Sequence, residues 1–271
     1  MQQRPLWNWR QVVPSLVTLA AMLAGFISIL VTTYGMSLGG DAAARMSEAQ
    51  KVMYRWSALL IMLSMILDGL DGNLARWLKG QSDFGAELDT YVDLTAFGIA
   101  PAILVFAVTL QTRDPFWRVL LPSAVALSGV VRLARFKVKD PLRGQGGYAG
   151  LPITANAAWV SLFIYVTLAP QQQPLEGTLA ILFLFGIAVF IVLQLTNLRY
   201  PKPTKKVSLF SLCIALVVAL WALGLYRPLY AARLAIAMMV SGLVYVMIGP
   251  MFVKGVEAHR ARKEMRETTK D

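Results

Sequence analysis

Residues 68–93 read DGLDGNLARWLKGQSDFGAELDTYVD and lie between two apolar segments, YRWSALLIMLSMIL before them and LTAFGIAPAILVFAVTL after them. Six acids fall in this stretch, and four of them adjoin segments that are apolar enough to be membrane spans. These four are Asp68, Asp71, Asp89 and Asp93. Carboxylates at membrane depth are costly and usually mark a functional site. The stretch therefore predicts a membrane-embedded fold and the position of its site.

The spacing of these acids predicts that they meet. Asp68 and Asp71 are three residues apart, so on a helix they share a face. Asp89 and Asp93 are four apart and share a face in the same way. Two such faces opposed would bring four carboxylates into one small volume, which could not remain ionised without cations. Hard oxygen ligands of this kind suit Mg²⁺, Mn²⁺ or Ca²⁺ rather than zinc.

Small residues and an arginine accompany the acids. Gly72 and Gly85 would let a ligand or a second backbone approach closely. Arg76 would suit a phosphate, because a guanidinium pairs with phosphate through two hydrogen bonds. With carboxylate-held divalent ions, these residues indicate a substrate that contains pyrophosphate. The alternative is that the acids cap helix ends or pair with Arg76 and Lys79.

The stretch matches the pattern D-x2-D-G-x2-A-R-x8-G-x3-D-x3-D at every fixed position. Those positions are Asp68, Asp71, Gly72, Ala75, Arg76, Gly85, Asp89 and Asp93. The pattern resembles that of the CDP-alcohol phosphatidyltransferases, which are integral membrane enzymes of phospholipid synthesis. The resemblance implies a six-helix catalytic core, and its fixed positions and gaps make it highly specific.

The resemblance also implies roles for single residues. Asp68, Asp71 and Asp89 would bind a pair of divalent ions, Mg²⁺ or Mn²⁺ with Ca²⁺ as an alternative. Asp93 would contribute to the ion site and act as the general base. The CDP-diacylglycerol donor would be bound by Asp68, Gly72, Ala75, Arg76, Ser82 and Gly85. For Ser82, a helix-capping role is an equal alternative.

A second motif, VVRLARFKVKDPLRGQGGYAGLP at residues 130–152, bears on the acceptor. Arg132 and Arg135 are expected to end a span, one helical turn apart, and to face the cytoplasm. An arginine there would hold an acceptor carboxylate or a donor phosphate. The glycine-rich GQGGYAG predicts a flexible loop before the next span. The other basic residues of the motif are typical of anchoring at the cytoplasmic face.

RLARF, followed by a glycine-rich turn and GLP, resembles the membrane-embedded phosphatidylserine synthase branch of the same family. That branch joins CDP-diacylglycerol to L-serine and releases CMP. Lys137 departs from the resemblance, because asparagine is expected after RLARF. Other acceptors therefore stay open: glycerol phosphate, inositol phosphate, or serine with an archaeal-type lipid donor. The family also implies a homodimer.

The composition predicts a polytopic membrane protein. Of 271 residues, 57% are hydrophobic, and the mean hydropathy is +0.58. The single cysteine, Cys213, excludes an intrachain disulfide and a cysteine-cluster metal site. The only histidine, His259, lies in a charged tail, so histidine-based catalysis is not expected. The net charge of +11 indicates an anionic bilayer surface rather than nucleic acid as the partner, because the basic residues lie between spans.

We predict an all-α fold of eight spans, namely Ser15 to Tyr34 and segments near 55–75, 86–110, 116–136, 152–169, 178–197, 207–225 and 230–252. Most of the 26 Lys and Arg fall on the side that holds both termini, which places the termini and the Asp cluster at the cytoplasmic face. The chain would divide into an interfacial segment (1–13), a six-helix catalytic domain (14–197), two additional transmembrane helices (198–253) and a charged tail (254–271). Short loops favour a prokaryotic plasma (inner) membrane.

Two other classes of protein compete with an enzyme. A divalent-cation transporter would also hold carboxylates in the membrane. It would spread polar groups through the bilayer depth, whereas from Pro152 to Val256 the only acid is Glu176, which we place in a loop. A non-catalytic scaffold gives no reason for the motif positions to be intact. The sequence therefore favours the enzyme.

Overall fold

The computed structural model describes residues 8–39, 46–109, 114–138, 147–168, 177–201, 233–251 and residue 253. Within these residues the chain is helical apart from two short strands. The helices are α1 (Trp9–Ser37), α2 (Glu48–Trp77), α3 (Asp83–Val92), a π-helix (Asp93–Ile99), α4 (Ala100–Thr109), α5 (Pro115–Val138), α6 (Ile153–Thr167), α7 (Gly177–Leu195) and α8 (Arg233–Met251). The strands are β1 (Gly147–Ala149) and β2 (Arg199–Pro201). The predicted all-α class is confirmed for this part of the chain.

Within the described residues, six helical segments are long and apolar enough to cross a bilayer, which makes this an integral membrane protein. They are α1, α2, the continuous segment Asp83–Thr109, α5, α7 and α8. The first begins at Trp9, so part of the segment predicted to be interfacial is helical. The span predicted near 207–225, Cys213 and the charged tail with His259 lie outside the described residues. The count of eight spans therefore stays a prediction.

The apolar helix α6 is shorter than the six candidate spans and lies in the centre of the described helices. Its 15 residues extend about 22 Å, less than the hydrocarbon core of about 30 Å. Twelve of the 15 are buried, and the helix packs against α2, α4, α7 and the π-helix. A helix that is buried on every side is apolar all round rather than amphipathic. Protein neighbours rather than lipid therefore surround α6.

Side-chain caps set where the helices that carry the acids begin. At the start of α2, the Ser47 Oγ accepts from the Gln50 N–H at 3.2 Å, and the Ser47 N–H donates to the Gln50 Oε1 at 3.0 Å. At the start of α3, the Ser82 Oγ accepts from the Gly85 N–H at 3.1 Å. Because only the turn 78–82 separates α2 from α3, the two helices run in opposite directions and place their acidic residues near one end of the bundle.

Small and hydroxyl side chains let α1 approach its neighbours closely. A Cβ added at Gly25 would lie 2.5 Å from the Ala96 Cβ, so α1 and the π-helix meet almost backbone to backbone. Between α1 and α2, the Ser57 Oγ lies 2.8 Å from the Ser28 Oγ and 2.6 Å from the Thr32 Oγ1. Hydroxyl contacts of this kind join helices in a membrane, where apolar packing alone does not distinguish protein from lipid.

The flexible loop predicted for GQGGYAG is wrong from Gly147 onward. Residues 147–149 form β1, which pairs antiparallel with β2. The Gly150 N–H then donates to the Leu198 carbonyl at 2.8 Å, and the Leu151 N–H donates to the Leu193 carbonyl at 3.0 Å. Backbone hydrogen bonds to the end of α7, which composition does not reveal, order this glycine-rich segment.

Replacing Gly150 with alanine is expected to lower the melting temperature more than replacing Gly177 with alanine. Both glycines have a positive φ, +76° and +55°, where a side chain costs about 1–2 kcal/mol. At Gly150 an added Cβ would also lie 2.6 Å from the Gln194 carbonyl oxygen, whereas at Gly177 it would meet nothing within 4 Å. Thermal unfolding in detergent measures the difference, and equal losses would contradict the contact at Gly150.

Candidate active site

The structure brings three of the four membrane-depth carboxylates together. One oxygen from each of Asp68, Asp71 and Asp89 lies within 4.8 Å of the other two. Two of these residues are near the C-terminal end of α2, and the third is on α3. The three-residue spacing on α2 points both carboxylates toward the partner helix, as the sequence pattern predicted.

The three aspartates fit a divalent metal ion. Asp71 is only 4% exposed. The Asp68 Oδ1 and Asp71 Oδ2 are buried and have no hydrogen-bond partner among the described residues. Buried polar atoms are costly when they are unpaired, and a hard cation would satisfy carboxylate oxygens. The donor set is therefore of the kind that holds Mg²⁺ or Mn²⁺.

The carboxylate cluster lies in a cavity of about 530 Å³. Its walls come from α1, α2, the turn 78–82 and α3. The residues predicted for the donor site all line it: Asp68, Gly72, Ala75, Arg76, Ser82 and Gly85. The structure therefore collects in one place a set of residues that are spread over 18 positions of sequence.

The two glycines of the cavity wall, Gly72 and Gly85, have different surroundings, and helix packing does not require a glycine at position 72. A Cβ added there would meet nothing within 4 Å, so no neighbouring atom of the described chain requires its small size. Gly85 differs, because a Cβ added there would lie 3.2 Å from the Ser82 Oγ and 3.9 Å from the Ser15 Oγ. Gly72 therefore leaves room on the cavity wall, whereas the small size of Gly85 accommodates the Ser82 cap at the start of α3.

Polar groups that suit a phosphate stand at the same wall. The Arg76 Nη2 donates to the Asn73 Oδ1 at 2.8 Å, which orients the guanidinium and leaves other N–H groups to bind an anion. The Ser82 hydroxyl oxygen accepts from Gly85, while its hydrogen can still donate to a ligand. Ser82 also marks the N-terminus of α3, where the helix dipole favours negative charge. The helix-cap role predicted as an alternative for Ser82 is thus present and does not prevent ligand binding.

Four cavity residues on α1 were not predicted as site residues. They are Gln11, Pro14, Ser15 and Thr18. The Thr18 hydroxyl lies beside Asp71, so α1 reaches the carboxylate cluster itself. The only sequence signal was PSLVT at residues 14–18, which resembles the entry to the family's first helix but holds no charged residue.

Asp93 lies outside the group of three but near enough to interact electrostatically with each of them. It is the first residue of the π-helix, one turn beyond Asp89 toward the middle of the span. Arg132 on α5 is close enough to interact electrostatically with Asp93. Its guanidinium carbon also lies 4.8 Å from the centre of the Phe136 ring. Arg132 is only 7% exposed, because it packs on Phe136 and toward Asp93, and its position on the cytoplasmic side stays a prediction.

Two other basic residues of the second motif, Arg135 and Lys137, bind neighbouring helices. The Arg135 Nη1 donates to the Leu195 carbonyl at 3.0 Å, which caps the C-terminal end of α7. The Lys137 Nζ lies 2.6 Å from the Glu87 Oε1 and so links α5 to α3. Arg135 therefore points to α7 rather than simply to the cytoplasm. Lys139 and Arg143 lie outside the described residues.

Comparison with known proteins gives one consistent family. The family model described as CDP-alcohol phosphatidyltransferase matches residues 11–193. The CDP-diacylglycerol–serine O-phosphatidyltransferase of Helicobacter pylori is 31% identical over 251 residues, which cover 90% of this chain and 96% of the relative. The protein of the same description from Methanocaldococcus jannaschii is 35% identical over 58% of this chain and 72% of its own. The archaetidylserine synthase of Methanothermobacter thermautotrophicus is 31% identical over 70% of this chain and 69% of its own.

Proposed function

The chain belongs to the CDP-alcohol phosphatidyltransferase family, and from this premise we propose that it transfers the phosphatidyl group of CDP-diacylglycerol to L-serine, giving phosphatidylserine and CMP. The observation that carries the proposal is the cluster of Asp68, Asp71 and Asp89 in the 530 Å³ cavity. Serine as the acceptor is supported by the bacterial and archaeal relatives, whose descriptions name serine.

The three clustered aspartates are proposed to hold a pair of divalent ions, Mg²⁺ or Mn²⁺. When bound, such ions neutralise the donor pyrophosphate and stabilise the charge that develops on CMP. The support is the chemistry of the site: hard oxygen donors from Asp68, Asp71 and Asp89, with buried oxygens that no protein group pairs among the described residues. A fourth carboxylate, Asp93, is near enough to contribute.

The cavity wall is proposed to bind the rest of the CDP group. Arg76 would pair with a phosphate oxygen, and Ser82 would donate its hydroxyl hydrogen at the N-terminus of α3. Gly72 and Ala75 would leave space for the donor, and Gly85, whose N–H donates to Ser82, would line the same wall. The lipid chains would remain in the bilayer between spans, while CMP leaves on the aqueous side.

Asp93 is proposed to be the general base. The serine hydroxyl oxygen attacks the β-phosphorus of CDP-diacylglycerol, and its proton passes to the Asp93 carboxylate. The bond between that phosphorus and the bridging oxygen breaks, and CMP leaves with the electron pair. Arg132, beside Asp93, would bind the serine carboxylate, and Arg135 would add positive charge one turn away.

The arrangement of the whole chain is also a proposal. A catalytic unit of residues 14–197 is supported by the family match, which ends at residue 193. Two further spans (198–253) and a charged tail (254–271) would follow, with both termini and the active site on the cytoplasmic side of a prokaryotic plasma membrane. The distribution of Lys and Arg supports this orientation. A homodimer is proposed from family membership.

Purified protein in detergent is expected to release CMP from CDP-diacylglycerol only when L-serine and Mg²⁺ or Mn²⁺ are both present. Chelation should stop the release, and restoring the metal should restart it. Release with glycerol phosphate or inositol phosphate but not serine would keep the chemistry and reject the acceptor. Release only with an archaeal-type ether-lipid donor would reject CDP-diacylglycerol. No release with any acceptor would reject the proposal and favour a cation transporter.

A further inference from the structure

The turn between α2 and α3 meets the first turn of α1 at a contact with no room for a side chain. A Cβ added at Gly80 would overlap the carbonyl carbon and oxygen of Arg10 and lie 3.1 Å from the Gln11 nitrogen. Gly80 is buried, and it is not one of the fixed positions of the family pattern. Because the obstacle is backbone, no side-chain rotation can relieve the overlap.

The end of α2 directs Gly80 to this contact. The Gly80 N–H donates to the Ala75 carbonyl at 2.9 Å, and the Lys79 N–H donates to the Arg76 carbonyl at 3.3 Å. This pair of hydrogen bonds is the Schellman pattern that terminates helices. Lys79 has a φ of +52°, a left-handed conformation that is unfavourable for a residue with a side chain. The turn is therefore specified by local hydrogen bonds that send the chain back toward α1.

Gly80 meets the Arg10 carbonyl on α1, and Pro14 removes the hydrogen-bond donor that this carbonyl would normally have in a helix. In an α-helix the Arg10 carbonyl would accept from the N–H of residue 14, and Pro14 has no N–H. The Arg10 carbonyl therefore accepts no hydrogen bond from residue 14. Pro14 and Gly80 therefore act on one contact from its two sides.

The contact borders one end of the cavity, here called the outer end. Gln11 and Gly80 line that end, and Gln11 precedes Thr18 by seven residues, about 10 Å along the helix. In the other direction along α1, one turn beyond Thr18, α1 and α2 are in contact, because the Ser64 Oγ donates to the Ala21 carbonyl at 2.7 Å and both residues are fully buried. We therefore expect a donor whose pyrophosphate meets the carboxylates beside Thr18 to extend its nucleoside toward Gly80, away from this contact.

We infer that Gly80 is a positioning residue for the nucleoside half of the donor, an inference that rests on the proposed function. Its lack of a side chain fixes the distance between α1 and the turn 78–82, and with it the width of the outer cavity. Gly80 lies outside the carboxylate group, and Arg132, the proposed serine-binding residue, does not line this cavity. A shift of α1 should therefore weaken donor binding without weakening serine binding.

The test compares the Gly80→Ala variant with the wild-type protein in two assays. Steady-state CMP release should show a KM for CDP-diacylglycerol raised about tenfold, because displacements of about 1 Å in a binding site have effects of this size or larger. The KM for serine should stay unchanged, and kcat should change much less than the donor KM. Equilibrium binding of CMP in the presence of Mg²⁺ should weaken by a similar factor. An unchanged donor KM, or a loss confined to kcat, would overturn the inference.

A control variant and a double variant separate the contact from general damage. Gly242→Ala places the same methyl group on α8, where it meets nothing within 4 Å, and it should not alter CMP binding. The double variant Pro14→Ala/Gly80→Ala should weaken CMP binding by less than the product of the factors measured for the two single variants, because both changes act on one contact. Independent effects would overturn the inference. If Gly80→Ala does not fold, a Pro14→Ala variant that binds CMP like the wild type would do so.

CMP binding also separates this inference from the proposed function. If the wild-type protein binds CMP but transfers nothing to serine, serine is rejected as the acceptor. The effect of Gly80→Ala on CMP binding still tests the inference about Gly80 in that case. If wild-type turnover is serine-dependent and Gly80→Ala leaves CMP binding unchanged, the function stands and the inference about Gly80 fails.

Discussion

Replacing Asp71 with asparagine is expected to reduce CMP release by about a thousandfold or more while the protein remains folded. Asp71 is the most buried member of the carboxylate group, and its Oδ2 has no hydrogen-bond partner among the described residues. The amide keeps the size of the side chain but removes the negative charge that a divalent ion requires. Loss of several kcal/mol of charge stabilisation corresponds to a rate effect of this size.

The matched control for Asp71→Asn is Asp83→Asn. Asp83 belongs to the same acidic stretch, but it is exposed in the first turn of α3 and outside the carboxylate group. Mn²⁺ titration followed by electron paramagnetic resonance should show lost binding in the first variant and retained binding in the second. Wild-type Mn²⁺ affinity and turnover in Asp71→Asn would mean that the carboxylate cluster is not the metal site.

The convergence of three aspartates was predictable because it depends on helical periodicity alone. Residues three apart on a helix lie on the same face, so Asp68 and Asp71 do. The short turn 78–82 then reverses the chain so that Asp89 faces them. The neighbour of Asp93 on α5 was not predictable in this way. Asp93 keeps the α-helical turn from Asp89, because its N–H bonds to the Asp89 carbonyl, but only the packing of α5 brings Arg132 beside it.

The contribution of α1 was missed because its residues carry no charge. Pro14 and Thr18 are ordinary members of an apolar span when they are considered locally, and only the packing of α1 against α2 and α3 places them in the cavity. The close approach depends on pairs such as Gly25 with Ala96, which are 71 positions apart in sequence. No local pattern identifies such a pair.

The partners of the two arginines were not predicted, for a related reason. An arginine at the end of a span is usually solvated, so the sequence predicted that both would face the cytoplasm. The structure instead gives Arg132 an aromatic ring and a carboxylate, and gives Arg135 the carbonyl groups that end α7. These partners lie on other helices, and tertiary packing rather than the local pattern decided the result.

Replacing Asp93 with asparagine is expected to lower kcat by about 10²–10⁴-fold and to leave Mn²⁺ binding close to that of the wild type. Asp93 is outside the group of three, so the cluster of Asp68, Asp71 and Asp89 should still hold the metal. The asparagine side chain cannot accept the proton of the serine hydroxyl, and the transfer step alone should suffer. The KM for CDP-diacylglycerol should therefore stay near its wild-type value.

Asp89→Asn is the matched comparison, because it changes the same residue type one helical turn away. It should lose both turnover and Mn²⁺ binding, whereas Asp93→Asn should lose turnover only. Equal loss of Mn²⁺ binding in the two variants would make Asp93 a metal ligand rather than the base. Full turnover in Asp93→Asn would exclude both roles. Because Arg132 lies beside Asp93, a base there would take its proton from an acceptor that the arginine already holds, which would join acceptor binding and proton removal on one side of the metal cluster.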